Sequence, residues 1–79
     1  MTHGLKVWPE YMDGLLNKSK TFEVRKNDRD FKIGDVLTLS EWDNVTETWT
    51  GRTCTRYVTY VLQGGQFGIE KGFVVLGIH

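Results

Sequence analysis

The sequence has few of the groups that hold small proteins together covalently or through a metal. It contains one cysteine, Cys54, so an internal disulfide framework is excluded and a reducing compartment is expected. Cys54, His3 and His79 do not show the spacing of a zinc-ligand cluster, so we expect no structural metal and no cofactor. With 79 residues, the chain predicts a single domain over residues 1–79 whose stability depends on its hydrophobic core.

Long apolar runs are absent as well. No segment approaches the roughly 20 apolar residues of a membrane helix. The first residues, MTHGLK, lack the charged and apolar regions of a signal peptide. These absences predict a cytoplasmic protein with no membrane partner. The sequence leaves the oligomeric state open, with a monomer as the expectation.

The net charge is zero, so total charge does not predict a polyanionic partner. The distribution of charge is uneven, however. Residues 18–32 hold six basic and three acidic side chains, whereas residues 41–50 hold three acids and no base. A surface polarised in this way can steer an anion to one side of the molecule.

One helix and five strands are predicted. The single proline, Pro9, suits the first helical position, because its missing N–H would be unpaired there in any case. Apolar residues at spacings of three and four predict a helix within residues 9–18 with one buried face: Trp8, Tyr11, Met12, Leu15 and Leu16. Strands are predicted over residues 3–7, 21–26, 36–42, 52–62 and 73–78.

The connections and the last strand add detail to this prediction. A long connection is expected from Asp43 to Gly51, and a mobile glycine-rich loop over residues 63–72. The last strand is apolar on both faces and should be central in the sheet. The predicted class is α+β, with a small curved or closed mixed sheet and the helix against one opening.

The most informative segment is residues 20–31, KTFEVRKNDRDF. If it begins as a strand, Phe22 and Val24 should point into the core, and Glu23 and Arg25 should point the other way. Lys20 can join the charged pair only from a turn before the strand. This arrangement favours a site for a polar, anionic ligand. The alternative is an exposed ion pair at the mouth of the sheet, which stabilises by only about 0–1 kcal/mol.

The pattern K-x-x-E-x-R at Lys20, Glu23 and Arg25 resembles the signature of ASCH domains, small β-barrels related to the PUA domains of RNA-modifying enzymes. The full segment, with H-x-L-K at residues 3–6 and further matches at EW 41–42 and TGR 50–52, is similar to a compact ASCH-like family of phages, prophages and bacteria described as a domain of unknown function. ASCH signatures usually have glycine two positions before the lysine. That position is Lys18 here, so the shape of the turn is an open question.

The resemblance implies a PUA-like mixed β-barrel of five to six strands with one main helix. It also implies a cleft between helix and barrel that binds RNA or a nucleotide-like ligand. Basic side chains there would hold phosphate, and Glu23 would accept hydrogen bonds from a base edge. The candidate ligand-binding residues are Lys20, Glu23, Arg25, Asn27, Asp28, Arg29, Lys6 and His3.

Purely structural roles, with no contact to a ligand, remain open for several of these candidates. Asn27, Asp28 and Arg29 also suit ordinary turn chemistry, and His3 also suits a buried, hydrogen-bonded histidine. Five aromatic residues could stack on bases if they are exposed: Trp8, Trp42, Trp49, Tyr57 and Tyr60. Most rings are expected in the core, with Trp49 in the long connection as the best exposed candidate.

Two further functions stay open. Some compact ASCH-like proteins resemble amidohydrolases that act on acylated cytidine, with a lysine, a threonine three positions later and a distant glutamate. Lys20 matches the lysine, but Glu23 occupies the threonine position, so the nucleophilic hydroxyl is missing. Lys20 and Glu23 would then be the catalytic pair, acting as acid and base. The other alternative is a protein-interaction domain of a phage or prophage.

Overall fold

The structure, a computed structural model, describes residues 1–79. It contains β1 (Thr2–Val7), α1 (Pro9–Leu16), β2 (Phe22–Lys26), β3 (Val36–Asp43), β4 (Thr48–Gln63) and β5 (Phe73–Ile78). The predicted α+β class, with one helix and five strands, is confirmed. No helix of the chain combines the length and the apolar character that crossing a membrane requires.

The five strands form one mixed sheet in the order β1-β3-β4-β5-β2, in which only β1 and β3 run parallel. β5 lies between two neighbours, so its predicted central position is confirmed. The 16-residue β4 pairs with β3 along its first part and with β5 along its second part. It carries a bulge between Val58 and Tyr60. The extra residue reverses the alternation of faces. Tyr60 lies two residues after the buried Val58, where strict alternation would place it on the same face, and it is instead exposed.

Main-chain hydrogen bonds do not close this sheet into the predicted barrel. β1 and β2 are its two edges and share no main-chain hydrogen bond. Two arginine side chains link them instead: Arg25 Nη2 donates to the Lys6 carbonyl at 2.8 Å, and Arg29 Nη1 to the Gly4 carbonyl at 2.6 Å. The sheet must curve to bring its edges this close. We call the gap between β1 and β2, spanned by these two arginines, the seam.

The core lies inside this curved sheet and is covered by α1. It contains twelve residues: Leu5, Val7, Met12, Leu15, Phe31, Leu37, Leu39, Cys54, Val58, Val74, Leu76 and Ile78. Only Met12 and Leu15 represent α1 in the core, so the buried face of the helix is narrower than predicted. Trp8, Tyr11 and Leu16 are more than 40% exposed.

The long connection predicted from Asp43 to Gly51 is wrong. The turn occupies only residues 44–47, and β4 already begins at Thr48. Asp43 Oδ1 accepts hydrogen bonds from the backbone N–H groups of Val45 and Thr46, at 2.9 and 3.1 Å. This side chain closes a tight turn, and Trp49 then pairs with Trp42 across the hairpin.

Candidate functional site

A cavity of about 590 Å³ lies between α1, the end of β1 and the segment that leads into β2. It opens beside the seam, because residues of both edge strands line it. Its lining residues are Lys6, Val7, Trp8, Tyr11, Lys20, Phe22, Glu23, Val24 and Arg25. Four of the eight predicted ligand-binding residues are thus brought together: Lys6, Lys20, Glu23 and Arg25.

The orientation predicted for β2 is wrong. Glu23 is only 4% exposed, whereas Phe22 and Val24 are 47% and 53% exposed. The face that carries Glu23 and Arg25 points inward, the face that carries Phe22 and Val24 is about half exposed, and both contribute to the lining of the cavity. Burying a carboxylate is costly unless cations and hydrogen bonds compensate it. The reversal therefore depends on the partners of Glu23.

Glu23 is held by a cation at each carboxylate oxygen. Lys20 Nζ contacts Oε1, and Arg25 Nε donates to Oε2 at 2.9 Å. Lys20 lies before the strand, in the turn where the prediction required it. One carboxylate faces two cations, so the group formed by Lys20, Glu23 and Arg25 has one positive charge in excess. We call these three residues the polar triad.

The end of α1 determines where Lys20 lies. The backbone N–H of Lys20 donates to the Gly14 carbonyl at 2.9 Å, and a Cβ atom at Gly14 would lie 3.1 Å from the Lys20 Cβ. Lys18 has a φ of 68°, in the left-handed region that favours glycine. Lys18 thus adopts a conformation typical of glycine. Gly14, a glycine inside a short helix, is the feature of the sequence that indicates this close approach.

Aromatic rings form the apolar side of the cavity. The rings of Trp8 and Tyr11 are stacked, with centroids 6.5 Å apart and planes 18° from parallel. Lys20 Nζ lies 5.8 Å from the Tyr11 ring centroid and 5.1 Å from that of Phe22. A cation at this distance is attracted by the electron-rich ring face. The cavity therefore combines half-exposed rings with a charged group fixed beside them.

The expectation that most of the aromatic candidates lie in the core is wrong. Trp8, Trp49, Tyr57 and Tyr60 are each between 45% and 58% exposed. Trp49 is exposed as predicted, but it lies on β4 rather than in a long connection. Tyr11 and Phe22 line the cavity, although their apolar character alone predicts core positions.

Lys6 lies at the boundary of the cavity and already has aromatic partners. Its Nζ is 4.4 Å from the Trp42 ring centroid and 5.7 Å from that of Trp49. Lys6 therefore links the cavity to the tryptophan pair of the β3–β4 hairpin.

Asn27, Asp28 and Arg29 do not line the cavity. The Asn27 backbone N–H donates to the Gly72 carbonyl at 2.8 Å, and the Asp28 N–H to the Lys26 carbonyl at 2.9 Å. Arg29 is engaged at the seam. Only the Asp28 contact is that of a local turn; Asn27 and Arg29 bond to other segments of the chain, and none of the three is placed at the cavity.

His3 lies outside the cavity and is buried. Its Nε2 is 2.7 Å from Asp35 Oδ2, and its ring packs edge-on against Phe31 with centroids 4.8 Å apart. The hydrogen bond with His3, the Lys32 backbone N–H and the N-terminal ammonium together lower the pKa of Asp35 to about 2. This geometry matches the alternative of a hydrogen-bonded structural histidine.

A second charged cluster had not been identified from the sequence. Buried Glu41 accepts hydrogen bonds from Thr50 Oγ1 at 2.5 Å and from Arg52 Nε at 3.0 Å, and Arg52 Nη2 also bonds Asp13 on α1 at 3.0 Å. Arg52 and Thr50 lower the pKa of Glu41, while Glu41 and Asp13 raise the pKa of Arg52. Through Arg52, the cluster links α1 to the β3–β4 hairpin. In the sequence, the feature that points to this cluster is the family match at EW 41–42 and TGR 50–52.

Comparison with known proteins identifies the family. A family model described as a domain of unknown function, DUF3850, matches residues 2–78. The chain belongs to the DUF3850 family. It is also 39% identical over 59 residues to a protein of Escherichia phage P2, "Uncharacterized 12.9 kDa protein in GpA 3'region", covering 75% of this chain and 52% of that protein. The chain thus spans about half the length of the curated relative that it matches.

Proposed function

We propose that this DUF3850 domain is a PUA-like, ASCH-type binding module whose cavity takes a nucleotide-like ligand, either free or as part of single-stranded RNA. One observation supports this most: half-exposed rings and a polar triad with one excess positive charge share a single cavity. Its size falls within the roughly 300–1,000 Å³ of small-molecule sites. Rings suit a base, and the cations suit a phosphate.

The polar triad keeps hydrogen-bond donors for a ligand. A lysine ammonium has three N–H donors, and Lys20 uses two of them, for the Phe22 carbonyl and for Glu23. A guanidinium has five, and Arg25 uses one at Glu23 and one at the Lys6 carbonyl. The remaining donors suit a phosphate, with Glu23 as the fixed counter-charge that positions both cations.

Charge sets the expected strength of binding. The chain has no net charge, and the triad carries only one excess positive charge. Few phosphates can be neutralised, so affinity should fall with rising salt on a shallow slope. A long polyanion should gain little over a short one through electrostatics alone.

The test is titration of the protein with nucleoside monophosphates and with a short single-stranded RNA at low and high salt. Lys20→Ala and Trp8→Ala should each weaken binding, since one removes a phosphate contact and the other a stacking ring. Lys32→Ala is the matched control, because Lys32 is exposed and does not line the cavity. No detectable binding at low salt, or binding that ignores salt, would overturn the proposal.

Hydrolysis of an acylated nucleoside is the second candidate, because Lys20 and Glu23 touch each other within the cavity. Two observations favour binding instead. Glu23 stands where the related amidohydrolases have their threonine, and both of its oxygens are engaged by cations. Turnover of acylated cytidine that is lost in Lys20→Ala would establish the hydrolase. Neither turnover nor nucleotide binding would favour a protein-interaction role.

A further inference from the structure

Strand β2 presents a free main-chain edge beside the cavity. The Ile78 N–H donates to the Thr21 carbonyl at 3.0 Å, and the Asn27 N–H donates to the Gly72 carbonyl at 2.8 Å. In an antiparallel ladder the direction of the main-chain groups alternates along the strand. Thr21, Asn27 and the odd-numbered residues between them therefore bond to β5. Main-chain groups of the even-numbered residues point away from β5, toward the seam.

Among these even-numbered residues, only Val24 has both its main-chain N–H and its C=O free of a protein partner. The Phe22 carbonyl accepts from Lys20 Nζ at 2.8 Å, and the Lys26 carbonyl accepts from the Asp28 N–H at 2.9 Å. The N–H and the C=O of Val24 have no protein partner outside the strand ladder, which they face away from. Val24 also lines the cavity.

We propose that the main-chain N–H and C=O of Val24 read the edge of the heteroaromatic ring bound in the cavity. This inference rests on the proposed nucleotide function and names the group that selects the ligand. A donor beside an acceptor complements an acceptor beside a donor. Adenine and cytosine present that pair as an amino group next to a ring nitrogen, and uracil and guanine as a ring N–H next to a carbonyl.

The position of Val24 explains why the seam is left open. An added strand would pair with the groups that Val24 leaves free, as in peptides that extend a sheet edge. Here a flat ring takes the place of that strand. Phe22 and Tyr11 are then available to stack on the ring. Lys20 and Arg25, which precede and follow Val24 in sequence, hold the phosphate of the ligand. Inorganic phosphate has no flat ring with a donor beside an acceptor, so its binding should not depend on the Val24 edge.

Val24→Pro tests the inference directly. Proline removes the N–H, and this N–H makes no ladder bond, so an edge strand can accept the change. Glu23, the preceding residue, is already extended, as a residue before proline prefers. Val24→Ala is the matched control, because it shortens the side chain and keeps the main chain. Far-ultraviolet circular dichroism and thermal melting establish that each variant is folded.

The probes are AMP, CMP, GMP, UMP and inorganic phosphate. For the nucleotide that binds most tightly, we expect Val24→Pro to weaken binding about tenfold relative to Val24→Ala, through the loss of one hydrogen bond. Affinity for inorganic phosphate should be the same in both variants. Equal nucleotide affinity of the two variants would overturn the role of Val24.

A ligand-side measurement decides the question even if Val24→Pro does not fold. The tightest-binding nucleotide is compared with its analogue methylated at the edge donor: the dimethylated exocyclic amine of AMP or CMP, or the N-methylated ring nitrogen of GMP or UMP. The analogue should bind about tenfold more weakly to the wild type. Equal binding would refute edge reading while leaving nucleotide binding intact. If no nucleotide binds to the wild type at all, the proposed function and this inference both fail.

Discussion

Arg25 Nη2 donates a hydrogen bond to the main-chain carbonyl of Lys6 at 2.8 Å, across the seam between the two edge strands. The same guanidinium holds Glu23 through Nε. One side chain thus links the edges of the sheet and positions the buried carboxylate beside the cavity. The K-x-x-E-x-R motif therefore has a structural role in addition to the proposed binding role, and mutations must be designed to separate the two.

Arg25→Ala should lower both stability and affinity. Losing the hydrogen bonds to Glu23 and Lys6 should reduce the free energy of unfolding by about 1.5–3 kcal/mol, as for bonds that involve charged groups. Urea denaturation measures this loss, and phosphate titration of the folded fraction measures binding. Arg25→Lys is the matched control for charge: it should restore part of the anion affinity but not the bridge to Lys6. Unchanged affinity in folded Arg25→Ala would make Arg25 purely structural.

Glu23→Gln should destabilise the protein and strengthen anion binding. The change keeps the shape of the side chain but leaves Lys20 and Arg25 without their buried counter-charge, a loss of about 3–5 kcal/mol. The triad then carries two positive charges, so inorganic phosphate should bind more tightly to the folded fraction. Asp28→Asn is the control, because Asp28 is exposed and lies outside the cavity. Weaker phosphate binding in Glu23→Gln would contradict this and show that phosphate binding depends on Glu23 positioning Lys20 and Arg25.

The sequence predicts the order of elements well, because Pro9 and the turn residues act locally. It fails on which face of β2 is buried. Alternation predicts two faces, and the prediction assumes that the apolar face is the buried one. Phe22 and Val24 line a cavity, and Glu23 is buried because Lys20 and Arg25 compensate its charge. Both cations lie close to Glu23 in the chain, but whether the charged face turns inward depends on how the strand packs in the sheet. Composition alone could not show it.

The candidate site was predicted in part for a related reason. Lys20, Glu23 and Arg25 are close in sequence, so a local motif brought them together. Trp8 and Tyr11 join them only because the turn after α1 returns the chain to the helix at Gly14. His3 shares the family motif but lies with Asp35, which shows that membership of a motif does not establish membership of the cavity.

Lys18→Gly should stabilise the protein. Lys18 adopts a φ of 68°, which costs a residue with a side chain about 1 kcal/mol or more relative to glycine. Part of that gain is offset by the greater flexibility of glycine in the unfolded chain, so a net increase of about 0.5–1 kcal/mol is expected. The matched control is Lys26→Gly, an exposed lysine in an extended strand, which should destabilise. Thermal melting of both variants checks the opposite signs, and a loss of stability in Lys18→Gly would refute the prediction.

The contact between His3 and Asp35 should make stability depend on pH in the acid range. The pKa of Asp35 is lowered to about 2 in the folded protein, against roughly 3.9 for an unperturbed aspartate. A lowered carboxyl pKa adds stability above the unfolded value, and that stability is lost as pH falls through the folded value. The melting temperature of the wild type should therefore exceed that of Asp35→Asn near neutral pH, and the difference should shrink between about pH 4 and about pH 2. Asp30→Asn is the control, since Asp30 is 81% exposed and pairs only with exposed Lys32. A difference between wild type and Asp35→Asn that stays constant down to pH 2 would contradict the assignment.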